Sequence, residues 1–333
     1  MYATIMLKRF IVVLATAMLL TGCATHTSAP VSPAASEKGM SILHLPEEFD
    51  TPVLQDATPP FIYTPAKGNA LEQRAGYAVD HSVAAQARNN RIRHLVLHYT
   101  SGNDAAAFKA LTGRAVSAHY LVLDRPGEYQ GRSVALQMVD ENKRAWHAGE
   151  SRWKDRSNLN DTSIGIEIVN QGFNTTPEGQ VWDPFSEAQI ALVIALSKDI
   201  VRRYGITPTN VVAHADIAPG RKLDPGPFFP WQRLAEAGIG AWPERATVAK
   251  YLTRFQTRPP LLRQVQQGLA DYGYDIVSNG ILDDETRKVL RSFQMHFRPT
   301  AYSGTADNET AAILFALLEK YQGSGRVRDI LNP

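Results

Sequence analysis

A step of ten residues joins His214 to Asp224 in the stretch His214-Ala-Asp-Ile-Ala-Pro-Gly-Arg-Lys-Leu-Asp-Pro-Gly-Pro, placing an imidazole, the amine of Lys222 and a carboxylate in one loop. Zinc takes neutral imidazoles and an ionised carboxylate, and a catalytic zinc site uses three protein ligands while leaving one position for water. The loop supplies two of the three. If the chain after Lys222 is extended, alternate side chains share a face, so Lys222 and Asp224 converge on one spot. Pro225 and Pro227 stiffen that geometry.

The third ligand must come from elsewhere, and His98 is the candidate. The apolar run Leu95 to Leu97 within Arg93-His-Leu-Val-Leu-His-Tyr-Thr100 predicts a buried strand that ends at His98. In a strand His94 stands about 13 Å from His98, at about 3.3 Å per residue, so the two cannot share one ion.

A period-2 strand is also predicted over Ile164-Gly-Ile-Glu-Ile-Val169. Ile164, Ile166 and Ile168 then face the core, while Glu167 shares the sparse face with Gly165 and Val169. A carboxylate there can take the proton of a zinc-activated water as it attacks an amide carbonyl. Lys222 would stabilise the resulting oxyanion, a contact worth roughly 3–4 kcal/mol of barrier.

The ordered blocks Leu-His98-Tyr-Thr, Val-Ser-Ala-His119-Tyr, Ala-Trp146-His147-Ala-Gly, Asn160-Asp-Thr-Ser-Ile-Gly-Ile-Glu167 and His214-Ala-Asp-Ile-Ala-Pro through Asp224-Pro-Gly-Pro resemble the type 2 N-acetylmuramoyl-L-alanine amidases. Within them, the resemblance is to the outer-membrane lipoprotein amidases (AmiD-type), and it runs from about Tyr77 to Trp242. It implies that His98, His214 and Asp224 hold one zinc ion and that Glu167 and Lys222 act on the reaction. It further implies that the bond cut joins muramyl lactate, in N-acetylmuramic or anhydro-muramic acid, to the L-alanine of a stem peptide. Relatives often carry an arginine where this chain has Asn158, and Arg156 or Arg152 is the candidate replacement for gripping a stem-peptide carboxylate. His119 is read as structural or as support for the ligands. Trp146 and His147 precede Ala148-Gly149, where backbone can approach a ligand closely; they suit either a substrate cleft or packing.

The N-terminus sets the compartment. Lys8-Arg9, an apolar run from Phe10 to Leu20 and Leu20-Thr-Gly-Cys23 have the shape of a lipoprotein signal peptide over 1–22, too short to span a bilayer. Cys23, the only cysteine, is expected to become the lipidated first residue, with acyl chains such as palmitate anchoring the protein. Ala24 in place of Asp resembles the signal for sorting to the outer membrane, facing the periplasm. With no second cysteine, the fold has no disulfide and its zinc ligands must be N and O donors. The formal charge is +2 and falls to zero without Lys8 and Arg9, so no basic field for nucleic acid exists.

Composition divides the 333 residues further. Residues 23–76 hold a tether rich in Ser, Pro, Thr and Ala followed by an irregular segment. Residues 77–245 predict an α/β catalytic domain with a mixed central β-sheet flanked by helices, similar to the peptidoglycan-recognition fold. Its strands are expected near 94–99, 119–123, 164–169 and 210–214, and a helix over 187–204 is capped by Ser186 and Gln189 and ended by Gly205. A small all-α module over 248–322, with helices near 261–272, 284–297 and 307–321, resembles the three-helix peptidoglycan-binding domain; 323–333 is a tail. Asp271-Tyr-Gly-Tyr-Asp275 and Phe293-Gln-Met-His-Phe297 suit sugar binding and a small core equally.

These readings converge on a zinc hydrolase that frees stem peptides from peptidoglycan or muropeptides, a role in cell-wall degradation and turnover. Two other classes fit part of the pattern: a non-catalytic peptidoglycan-recognition protein, and a zinc peptidase cutting within the stem. The intact set of His98, Glu167, His214, Lys222 and Asp224 speaks against the first, and the product ends separate the second.

Overall fold

The computed structural model describes residues 62–332 except Glu178, so the expected signal segment, Cys23 and most of the tether lie outside the described residues. The chain divides into two units at Ala84. The described part of the first is a hairpin pairing Leu71–Arg74 with Tyr77–Asp80. Gly76, at φ +85°, supplies the left-handed turn, and Asp80 accepts the Ala66 amide at 2.7 Å and the hydroxyl of Tyr63.

The second unit is built on a five-stranded sheet of β1 (His94–Tyr99), β2 (Tyr120–Val122), β3 (Leu136–Gln137), β4 (Ser163–Ile168) and β5 (Val211–Ala213), in the order β5-β1-β4-β2-β3. All pairs are parallel except β2 with β3, which makes the sheet mixed, as expected. The sequence period explains its two faces. Leu95, Leu97, Ile164, Ile166, Ile168, Val211 and Ala213 form one core with Ile190, Val193 and Ile200 of α2 (Glu187–Tyr204). Ser186 accepts the Gln189 amide at 3.2 Å, and the Gln189 side chain accepts the Ser186 amide at 3.0 Å, completing the capping box. Gln189 also donates to the Val169 carbonyl at 2.6 Å, fixing the start of α2 to the end of β4.

The opposite face carries the chemistry. α1 (Asp104–Leu111) lies beside it, capped by the Asn103 side chain accepting the Ala106 amide. The short α3 (His214–Ile217) follows β5 directly, and α4 (Trp231–Glu236) follows the proline-rich loop.

The C-terminal part of the described residues runs through α5 (Arg245–Thr257), the three expected helices α6 (Leu262–Tyr272), α7 (Asp284–Phe297) and α8 (Asn308–Gln322), and then α9 (Ser324–Leu331). The three predicted helices lie within a residue of their expected bounds; α5 and α9 were not anticipated. Their core is continuous with the sheet, since Val96, Val212, Ile217, Trp153 and Leu159 are buried together with Leu269, Leu290, Phe293 and Phe315. Each such apolar side chain removed from water contributes roughly 1.5–3 kcal/mol. Trp153 packs edge-on against Tyr272 and Tyr274, and the Lys154 amide donates to the Gly273 carbonyl at 2.8 Å. A Cβ on Gly273 would come within 2.8 Å of the Trp153 ring, so the approach requires glycine.

Candidate metal centre and active site

His98 is the fifth residue of β1, fully buried, and points from the site-bearing face. His214 opens α3 and Asp224 ends the following loop, where the Ala215 amide donates to the Asp224 carbonyl at 2.9 Å and holds the two segments together. Among the described residues, this is the one group of three His, Asp or Glu side chains whose donor atoms converge. His98 Nδ1 lies 2.9 Å from His214 Nδ1, and each lies 3.0 Å from Asp224 Oδ2.

The remaining ring nitrogens decide what that triangle is. His214 Nε2 donates to the Ala148 carbonyl at 3.0 Å, so in the neutral ring Nδ1 is a bare lone pair. Behind His98 runs a longer chain. Ser163 Oγ donates to the Leu159 carbonyl at 2.6 Å and accepts from His147 Nε2 at 3.1 Å, leaving His147 Nδ1 to accept from His98 Nε2 at 3.0 Å. His98 Nδ1 is therefore bare as well. Two lone pairs and a carboxylate oxygen, with no proton among them, repel one another unless a cation sits between them. A tetrahedral zinc with bonds of roughly 2.0–2.2 Å needs donor separations of about 3.3–3.6 Å, a few tenths of an ångström wider than these. The N, N, O donor set fits zinc, and the hydrogen bonds that the far ring nitrogens donate to His147 and the Ala148 carbonyl fix the ligand tautomers.

The electrostatics agree. Burial and the neighbouring His214 lower the His98 pKa to about 4, favouring the neutral ligand form. Burial works against ionisation of Asp224, but His214 and His98 outweigh it and hold the carboxyl below its usual range. Burial first, and then His98, lowers His147 well below an ordinary imidazole.

Glu167, Lys222, Asp224 and His214 line one cavity of about 260 Å³, with Trp146, Val116 and Leu111 on its apolar side. Glu167 pairs in register with His98 across the two central strands, and its Oε2 is buried without a partner. Burial, with a smaller push from Asp224, raises its pKa well above the usual value, while Lys222 opposes the rise. Trp146 is 55% exposed and offers its ring at the mouth. An adjoining cavity is lined by Arg144, Trp146, Asn158, Asn160 and Arg221. Arg221 is committed there to the carbonyls of Ala148 and Glu150.

Not every expected residue takes a place in the cleft. Arg156 and Arg152 sit on the hairpin Arg152–Trp153 with Arg156–Ser157 and line neither cavity, and Arg152 pairs with Asp275 at 3.3 Å. His147 does border the cleft, but both its ring nitrogens are engaged behind His98, so it has no nitrogen for a substrate. Its ring fills the space that a side chain at Gly165 would take, where a Cβ would come within 2.4 Å. His119 is structural: Nδ1 accepts the Gly165 amide at 3.0 Å and Nε2 donates to the Lys143 carbonyl at 3.2 Å. His94 is held by Thr162, away from the ligands. The chain from His98 through His147 to Ser163 escaped the sequence reading; the signal for it was Gly165, a small residue facing a histidine-rich surface.

A carboxylate and an amine thus share one cleft with three side chains able to hold a metal ion, an arrangement suited to hydrolysing an amide bond. A family model described as N-acetylmuramoyl-L-alanine amidase matches residues 88–227, and a peptidoglycan-binding domain model matches residues 258–314. The chain is 48% identical over 252 residues to N-acetylmuramoyl-L-alanine amidase AmiD of Escherichia coli, covering 75% of this chain and 91% of that protein. The structure of the E. coli protein in complex with anhydro-N-acetylmuramic acid-L-Ala-D-gamma-Glu-L-Lys superposes with a TM-score of 0.71 over 77% of this chain and 99% of that one. The 1,6-anhydro-N-acetylmuramyl-L-alanine amidase AmpD of Enterobacter cloacae is 40% identical over 127 residues, 38% of this chain and 59% of that protein. The chain thus belongs to the N-acetylmuramoyl-L-alanine amidase family, and within it to the AmiD type.

Proposed function

We propose that the protein is a zinc-dependent amidase that hydrolyses the bond between the lactyl group of N-acetylmuramic acid, or its anhydro form, and the L-alanine of the stem peptide. The convergence of two bare imidazole nitrogens and Asp224 Oδ2 within 3.0 Å carries the zinc assignment. The E. coli relative's complex with an anhydro-muramyl peptide supports the substrate class.

When bound, zinc supplies Lewis acidity for the scissile carbonyl and acidifies an attacking water. Glu167 Oε2, free of other partners, takes the proton of that water and returns it to the departing L-alanine nitrogen. Lys222 Nζ donates to the oxygen on which negative charge develops. Trp146 offers a flat apolar surface at the cavity mouth for the sugar or peptide. His147 and Ser163 hold His98 in the tautomer that binds metal.

The test is mass spectrometry of muropeptides incubated with the lipid-free protein, with chelator and then with added zinc. Peptides beginning at L-alanine, together with peptide-free glycan, are expected only with zinc. New ends inside the stem would replace this reading with that of a peptidase, and binding without cleavage would replace it with that of a receptor. A lipid anchor at Cys23 on the periplasmic face of the outer membrane belongs to the same proposal. Cys23→Ala is expected to release the protein from the membrane fraction; retention there would remove the anchor.

A further inference from the structure

None of the residues lining the cleft comes from the C-terminal helices. Those helices nevertheless reach the metal cluster through one buried carboxylate. Asp216, 1% exposed, lies two residues beyond His214 in α3. Its Oδ2 accepts the amide of Ala213, the residue just before the ligand, at 2.8 Å. The same oxygen accepts His296 Nδ1 of α7 at 2.7 Å, and Oδ1 accepts the Tyr274 hydroxyl at 2.6 Å. Two of the carboxylate's three bonds therefore come from the helical module.

The arrangement matters because α3 cannot hold itself. It has four residues and closes a single turn through the Ala218 amide on the His214 carbonyl at 3.1 Å, and one turn is the costly, unstable part of any helix. The donors that fix it are themselves fixed. His296 stacks on Trp231 with ring centroids 3.8 Å apart, and Tyr274 packs edge-on against Trp153 at 4.9 Å. His296 Nε2 is buried without a partner, so the Nδ1 bond to Asp216 is the polar contact that this ring makes.

We propose that Asp216, His296 and Tyr274 are positioning residues through which the C-terminal module orients His214 towards the cation, making that module part of the amidase centre. The inference rests on the His98, His214 and Asp224 zinc reading above. Substrate does not touch these residues; they act through the angle of α3.

The test uses the whole lipid-free protein and compares Tyr274→Phe, His296→Leu and His296→Asn with the parent. Zinc affinity is measured by competition with a chromogenic chelator, kcat and KM with a muropeptide, and thermal melting on the metal-free form. Tyr274→Phe and His296→Leu are expected to weaken zinc binding by roughly 10–100-fold and to lower kcat with KM within about twofold. His296→Asn, which returns a donor near the Nδ1 position, is expected to recover most of the zinc affinity. Tyr274→Phe removes one oxygen and keeps the ring, so it carries the test if His296→Leu does not fold. Unchanged zinc affinity and kcat with a lowered melting temperature would overturn the proposal and leave the cluster as packing alone. His98→Ala is the control: if it leaves zinc affinity intact, the metal site itself is misassigned.

Discussion

Glu167 and His98 face each other across the parallel register of the two central strands. The proposed proton acceptor and a proposed metal ligand are thereby set by backbone ladders, with no loop between them to relax. Glu167→Gln keeps the shape and removes the charge. It is expected to lower kcat by about 10²–10⁴-fold while zinc stoichiometry, measured by atomic absorption, stays at the parent value. A variant that retains full turnover would remove Glu167 from the reaction.

Lys222 has two separable effects. Its substitution by Met should lower kcat by roughly 10²–10³-fold, the cost of one lost oxyanion donor. The lysine also opposes the upward shift of Glu167. Removing its positive charge favours the protonated acid, so the acidic limb of the kcat/KM profile should move to higher pH in Lys222→Met. An acidic limb that stays in place would mean that it belongs to another group.

His147 should act on metal affinity. His147→Phe keeps an aromatic ring beside Gly165 but cannot accept the His98 Nε2 proton. Zinc binding is expected to weaken by about 10–100-fold. Ser163→Ala, one bond further back, should give a smaller change in the same direction. Isothermal titration of the metal-free proteins with zinc measures both, and a parent-like Kd for His147→Phe would refute the tautomer chain.

Acid stability should depend on Glu141. Its carboxylate accepts Arg203 and the hydroxyls of Tyr120 and Tyr204, linking the end of α2 to β2. The Arg203 hydrogen bond leads the shift that lowers its pKa from 4.5 to about 2. A carboxyl with a depressed folded value stabilises fully above its unfolded value, and that contribution is lost as pH falls from about 4.5 towards about 2. Glu141→Gln should lower stability at neutral pH by roughly 1–2 kcal/mol and flatten the loss across that window. Urea unfolding at pH 7 and at pH 3 checks both; identical pH slopes for parent and variant would exclude Glu141 as the source.

Much of this was legible beforehand for a physical reason. In β4 the period of two set Glu167 on the face opposite the isoleucines, while β1 is a continuous apolar run and His98 was legible from its place at the strand end; Ser186 and Gly205 marked the two ends of α2 where the structure has them. The helix α5 was equally readable, since Val248, Tyr251, Leu252 and Phe255 follow i, i+3, i+4, i+7 spacing. The short α9 gave too few turns to show a period. The roles of His147, His119 and Asp216 were not legible, because each depends on which backbone or side chain the register brings within 3 Å, and spacing along the chain carries no record of that. The same holds for Arg156, which is near the motif in sequence but sits on a hairpin and lines neither cavity.

The shared core between sheet and helices also bears on how the chain can be divided. Cutting before α5 would leave Val96, Val212, Ile217, Trp153 and Leu159 facing water as one apolar patch, and would strip Asp216 of two donors. Patches of that kind drive aggregation. A trimmed amidase expressed without residues 245–333 should therefore require a replacement surface to stay soluble, and loss-of-activity substitutions found in the helices need not concern wall binding at all.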